Sequence, residues 1–241
     1  MPFVVLTHHK CASTWLITYC AQVAAMNGLR FGHTHYSDRL VEGQLDIVAL
    51  INADYSFVKG RVTSGIHVIR NPLDLICSAY YSHLSTHSLT EWPELELQRA
   101  VLQSVSKPDG MMVTLTFLER SDFYSGAIGP LLALRQWDFS DEAFTTLRME
   151  DLVTDVDGTV GVRMIEMFGP ELQLPDAADF CFERFSGGRR PSEIDNASHY
   201  RVGKLGIWCT ELPSAAVTYI LYHLRQVLDR YYPEDVIYDH D

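Results

Sequence analysis

Every position from Pro2 to Leu6 is apolar, and the first polar side chain comes at Thr7. A short run without polar alternation fits a strand buried on both faces of a parallel sheet. Leu16, Cys20, Val23 and Ala24 then recur at helical spacing, which predicts a helix from Ser13 or Thr14 that Gly28 stops. A second strand-to-helix unit starts at His67-Val68-Ile69, a strand-like run followed by Asn71 as N-cap and Pro72 at the first helical position. Further strands are expected in "LRFGHTHY" from Leu29, in "YSFVKG" from Tyr55 and in "FTTLRMEDL" around Leu147. Val217, Ile220, Leu221, Leu224, Val227 and Leu228 mark an amphipathic helix from Ser214 to Tyr231. Residues 183 to 206, rich in Gly, Ser and Arg, lack apolar periodicity and read as a long loop of the kind that carries function. No repeat or linker interrupts the pattern, so the expectation is a single α/β domain over residues 1–241, a central parallel sheet flanked by helices.

Both strand-to-helix turns carry a cation. The first reads Thr7-His8-His9-Lys10-Cys11-Ala12-Ser13-Thr14-Trp15, and the second places Arg70 at the strand tip with Ser78 about two turns into the next helix. Ligands of open parallel sheets bind at the carboxyl ends of the strands, where both turns belong. Backbone N–H groups at a helix start, a lysine and small hydroxyl residues are the parts that hold a phosphate or sulfate. A Walker A loop needs GxxxxGK[ST], and the first turn has neither glycine. The long loop adds Arg184, Arg189, Arg190, Arg201 and Lys204 against Glu193 and Asp195, a basic patch suited to closing over a nucleotide.

Composition narrows the partners. A net charge of −12 over 241 residues argues against nucleic acid or an anionic membrane surface, so an anion must be held by local chemistry. The five cysteines are scattered without a CxxC pair, which fits free thiols of a reducing cytosol and no zinc site. The amino-terminal apolar run is too short for a signal sequence and no segment is long enough to span a bilayer, so a cytoplasmic protein is expected.

With these segments in view, the chain resembles the sulfotransferases that use 3′-phosphoadenosine 5′-phosphosulfate (PAPS) and release 3′-phosphoadenosine 5′-phosphate (PAP). "THHKCASTWL" is similar to the family's 5′-phosphosulfate loop, commonly PKSGTTWL, at Lys10, Thr14, Trp15 and Leu16, with Ser13 for Thr. "VIRNPLDLICSAYYSH" is similar to the 3′-phosphate motif through Arg70 and Ser78, "LRMEDLVTD" to the YED segment with Met149 for Tyr, and "HYRVGKLGIW" to the RKGxxGDW loop through Arg201, Gly203, Gly206 and Trp208. Val202, Ile207 and Ala12 depart from that pattern, replacing a lysine, an aspartate and a loop glycine. The resemblance implies a P-loop NTPase-like fold, a PAPS site made by Lys10, Cys11, Ala12, Ser13, Thr14, Trp15, Arg70, Ser78, Phe182, Arg201, Val202 and Gly203, and no metal. Trp15 and Phe182 fall where the family sandwiches the adenine.

The implied reaction moves a sulfuryl group to a hydroxyl or amine of a small-molecule, lipid or carbohydrate acceptor, with Lys10 stabilising the bridging oxygen. Many cytosolic members carry a base histidine in a KTH segment; the matching place here reads Lys59-Gly60-Arg61, which keeps Lys59 but offers an arginine that cannot act as base. His33 and His35 are the candidate bases, since a spacing of two on a strand aims both at one face, with His9, His83 and His87 as further choices. A P-loop-like small-molecule kinase and a nucleotide-binding module with little catalytic power are the alternative readings.

Overall fold

The apolar run at the amino terminus becomes the middle strand of a sheet in a computed structural model that describes residues 2–39 and 44–238. The strands are β1 (Phe3–Thr7), β2 (Phe31–Thr34), β3 (Ile47–Ile51), β4 (Gly65–Ile69) and β5 (Phe144–Arg148), all parallel, in the order β2-β3-β1-β4-β5. Every residue of β1, β3 and β4 is buried, the signature of central parallel strands covered on both faces. In register, Val5 lies opposite Ala49 on one side and Ile66 on the other.

Successive side chains alternate between the two faces. Phe3, Val5, Ile47, Ala49, Ile66 and Val68 pack with Leu16, Tyr19 and Val23 of helix α1 (Ser13–Asn27). Val4, Leu6 and Leu50 turn the other way, onto Tyr55 and Val58 of the short helix α2 (Tyr55–Val58) and onto Trp137. Gly28 ends α1 in the left-handed region at φ 64°, and its N–H donates to the Ala24 carbonyl.

A third core lies among helices beyond the sheet. Helix α3 (Pro72–Tyr81) packs there with α4 (Leu95–Ser104), α5 (Lys107–Leu118) and α6 (Pro130–Gln136) around Trp92, Leu102, Leu115 and Leu131. Asn71 caps α3 as its pattern predicts, its side-chain oxygen accepting from the Leu73 N–H at 2.9 Å with Pro72 in the first turn. A π-helical turn, Ser82–Thr86, continues α3.

Three elements differ from the reading of the sequence. "YSFVKG" is helical rather than extended, because the Asp54 carboxylate accepts from the Ser56 N–H at 2.9 Å and starts a helical turn. The strand beside β1 is instead Ile47–Ile51, an apolar run that the sequence reading left unassigned. The terminal helix is two, Ser214–His223 and Arg225–Tyr231, broken at Leu224 with φ −120° and ψ 22°. No glycine or proline marks that break. No helix among the described residues is long and apolar enough to cross a membrane.

Candidate functional site

The carboxyl ends of β1, β3 and β4 open into one cavity of about 1000 Å³. Eleven of the twelve donor-site candidates line it: Lys10, Ala12, Ser13, Thr14, Trp15, Arg70, Ser78, Phe182, Arg201, Val202 and Gly203. Cys11 does not; it is buried, its thiol directed at the His9 carbonyl at 3.7 Å, and burial pushes it up to about 12, so it is an inert core group.

The loop between β1 and α1 is pinned by the Thr7 hydroxyl, which donates to the Cys11 carbonyl at 2.7 Å, and by the Cys11 N–H, which donates to the His8 carbonyl at 3.0 Å. Lys10 (φ 64°) and Ala12 (φ 59°) both take the left-handed conformation that disfavours side chains. Ala12 stands where the resembling loops carry glycine, so Ala12→Gly is expected to raise stability by about 0.5–1 kcal/mol, or about 2–4 °C per kcal/mol in a thermal melt. A variant that melts lower would show that the alanine methyl contributes more by packing than its backbone costs. No side chain caps α1 and no acid occupies its first turn, which leaves its N-terminus electropositive toward the cavity.

Arg70 sits at the tip of β4 and donates from Nη1 to the Lys10 carbonyl at 3.2 Å, so the two strand tips are joined. Among the described residues its buried Nε has no hydrogen-bond partner. Among the described residues neither Lys10 nor Arg70 has a carboxylate ion-pair partner. Burial, then the neighbouring guanidinium, push the Lys10 ammonium down to about 7. Glu150, buried under the start of α3, is the acid that acts on Arg70, without a close ion pair, so the two cations are left with room for an anion.

Arg201 approaches from the long loop. Its guanidinium stacks 3.6 Å from the centre of the Tyr81 ring, its Nε donates to Asn196 Oδ1 at 2.8 Å, and its buried Nη1 has no hydrogen-bond partner among the described residues. Glu211, which accepts from the Tyr81 hydroxyl and the Lys107 ammonium, holds Arg201 Nη2 at 3.5 Å. A side chain on Gly203 (φ 55°) would come within 2.5 Å of the Phe182 ring, so glycine lets the loop backbone lie against that ring.

The loop is less a free basic lid than its composition suggests. Arg184 pairs with Asp179 at 2.8 Å. Arg189 donates to the carbonyls of Glu193 (3.1 Å), Arg201 (3.0 Å) and Tyr200, stitching the loop to itself. Of its five cations only Arg201 and Lys204 reach the cavity. Asp74, buried in α3, accepts from the N–H groups of Gly206 (2.7 Å) and Trp208 (3.1 Å) and so moors the loop's far end beside Arg70's own helix. Glu150 plays the matching part at the start of α3, accepting from the Asn71 N–H at 3.1 Å and the Tyr232 hydroxyl at 3.0 Å. Asp74 was not singled out in the sequence, since an aspartate in a helix's first turn reads as an ordinary helix-start residue; Glu150 falls in the "LRMEDLVTD" segment, where it was given no role.

The structure separates the expected catalytic group. The Thr34 hydroxyl accepts from the Tyr36 N–H at 3.2 Å, a turn that ends β2 before His35. His35 therefore lies beyond the strand, its ring centre 6.2 Å from that of His33, and of the two only His35 lines the cavity. Lys59 follows α2, outside the lining, its ammonium 5.5 Å from the Tyr55 ring centre. The strand tip next to the Lys10 loop belongs to β3, and it brings Ile51 and Asn52 to the cavity.

A cluster of imidazoles faces the cavity instead. His9 Nε2 lies 2.9 Å from His83 Nε2, and the His9 ring lies 5.4 Å from His87, 5.8 Å from Trp92 and 5.3 Å from Phe123. His199 reaches the same cavity from the long loop. Burial and then His83, Lys10, His87 and His199 hold His9 well below the usual imidazole range. Burial followed by Lys10, Arg99 and His35 holds His87 down to about 4, and Lys10 followed by burial does the same to His199. Among the described residues no group of His, Cys, Asp and Glu is arranged to hold a metal ion.

No family profile and no curated protein sequence matches the chain. Solved structures do. Mouse sulfotransferase SULT7A1 complexed with PAP aligns with a TM-score of 0.60 at 13% identity, over 97% of this chain and 85% of that one. Retinol dehydratase in complex with androsterone and inactive cofactor PAP aligns with a TM-score of 0.53 at 12% identity, over 93% of this chain and 80% of that one. With its parallel sheet, its cation-bearing strand tips and these neighbours, the chain has the fold of the sulfotransferases.

Proposed function

We propose that the protein transfers a sulfuryl group from PAPS to a hydroxyl or amine of a small-molecule, lipid or carbohydrate acceptor. The observation that carries this reading is the pairing of Lys10 with Arg70, two cations from adjoining strand tips without a carboxylate partner, beside the uncapped start of α1. The loop N–H groups, Lys10, Ser13 and Thr14 would receive the 5′-phosphosulfate. Arg70, Ser78, Arg201 and the loop backbone at Val202 and Gly203 would receive the 3′-phosphate, and Trp15 and Phe182 would flank the adenine.

In-line transfer needs charge stabilisation on the bridging oxygen, which falls to Lys10, and an acceptor oxygen aligned with the sulfur. The cavity is larger than a donor alone requires, and its other end carries Trp92, Phe123, Tyr124 and His35, an aromatic wall suited to an apolar acceptor. Its lining holds the carboxylates Glu91 and Glu183, neither on the Lys10 loop, which gives a magnesium-dependent kinase no support.

Isothermal titration with PAP and with ATP tests the reading. Micromolar PAP affinity is expected, with ATP clearly weaker for want of a 3′-phosphate, and Arg70→Ala is expected to weaken PAP about 30-fold. Absence of PAP binding at millimolar ligand would end the proposal. PAP binding without transfer of labelled sulfate to any acceptor in a broad screen would reduce it to a nucleotide-binding module.

A further inference from the structure

We propose that His87, carried by the π-helical turn after α3, is the general base that removes the acceptor proton; this rests on the sulfuryl-transfer reading above. A π-helical turn is an uncommon irregularity that tends to mark functional positions, and here it ends by directing one imidazole into the cavity. Arg99 of α4 fixes the turn from behind, donating from Nε to the His83 carbonyl and from Nη2 to the His87 carbonyl, each at 2.7 Å. The His87 N–H donates to the Ser82 carbonyl at 2.8 Å, closing the turn. The backbone is thus held on three sides.

The ring itself is left uncommitted. Among the described residues neither His87 nitrogen has a hydrogen-bond partner, whereas His9 and His83 occupy each other's Nε2 atoms. Its charged surroundings are Lys10 from the β1 loop and Arg99 from α4, with the imidazoles of His9, His35 and His199 on other elements. The His87 ring lies 5.4 Å from that of His9, the neighbour of Lys10 on the β1 loop, and both His87 and Lys10 line the cavity. The aromatic wall begins at once beyond His87, with the Trp92 ring centre 5.4 Å away. His87 therefore stands between the phosphosulfate cations and the acceptor wall.

The step balances simply. The acceptor O–H proton goes to the His87 imidazole while the acceptor oxygen bonds to sulfur. The bond from sulfur to the 5′-phosphate oxygen breaks with its electron pair left on that oxygen, giving PAP and a sulfate ester, and the imidazolium returns its proton to water. A bound donor also tunes the base. Its anionic groups cancel the Lys10 charge that suppresses His87, so basicity rises only when there is a sulfuryl group to transfer.

Imidazole nitrogen NMR across a pH series, with and without saturating PAP, tests this without knowledge of the acceptor; His87→Gln assigns the resonance. The His87 titration is expected to move up by about one pH unit or more when PAP binds, with that shift lost in Arg70→Ala at the same PAP concentration. His87→Gln is expected to bind PAP as the wild type does and to turn over any acceptor found in the screen about 10²- to 10⁴-fold more slowly. A His87 titration unmoved by saturating PAP, or turnover by His87→Gln within about threefold of wild type, overturns the assignment while leaving the donor site standing. Wild-type protein that fails to bind PAP overturns both.

Discussion

Lys10→Met is expected to lower sulfuryl transfer about 10²- to 10³-fold, the loss typical of removing one charge-stabilising donor from a transition state. Stability should not fall with it. The Lys10 ammonium faces Arg70 without a counter-charge, and replacing it by an apolar chain of similar length removes a repulsion rather than an ion pair. An inactive variant as stable as the parent separates an anion-binding role from a structural one; a variant that unfolds more readily would show that the lysine belongs to the framework. The same charge makes donor binding depend on pH. Lys10 lies at about 7 in the free site and would return toward ordinary lysine values beside a phosphate, so binding takes up a proton above about pH 7. PAP affinity is expected to drop up to about tenfold per pH unit from 7 to 9, and calorimetry in buffers of different ionisation heat would record the proton.

Acid should unfold this chain early. His8, His67 and His83 are fully buried and His9 partly so, and burial holds all four below the usual imidazole range, His8 at about 3. Behind the sheet, His8 Nε2 meets His67 Nε2 at 2.7 Å, and the His67 ring stacks 3.6 Å from Trp137. The unfolded chain protonates such groups near 6.5 and the folded chain does not, so stability present above that value is lost as pH falls below it. From pH 7 to about 5.5 the loss is about 1 kcal/mol per histidine, about 4 kcal/mol for the four, against a typical total of about 5–15. Glu150, raised by burial, works in the opposite sense as a single group. Urea midpoints at the two pH values measure the difference, and equal midpoints would mean that the buried imidazoles accept protons in place.

Much of this architecture was legible because short apolar runs and strong stop signals agree. Asn71-Pro72 and Gly28 set helix boundaries by local chemistry alone. Ile47–Ile51 was harder, since five apolar residues carry no period that separates a buried strand from a core helix. The donor candidates come from two contiguous turns and one loop, so motif spacing could name them, and all but the inward-turned Cys11 line the cavity. The imidazole cluster was not legible as a unit. His9, His83, His87 and His199 lie far apart in the chain, and only the crossover from β1 to β4 and the return of the long loop place them together. Charge counting misjudged the long loop for a related reason, because a carbonyl partner such as that of Tyr200 for Arg189 is invisible to composition.

Helix α3 runs along the cavity wall, with Arg70 before it, Ser78 and Tyr81 on it and His87 just after it. Ten residues of α-helix measure about 15 Å, so under the proposed roles one rigid strut, with the π-helical turn after it, would act as a ruler between the residues proposed to hold phosphate and the imidazole proposed to take the proton. A single residue inserted within it would swing every later side chain by about 100°. The site can therefore drift in chemistry at many positions while that stretch must keep its length, a constraint on spacing rather than on identity.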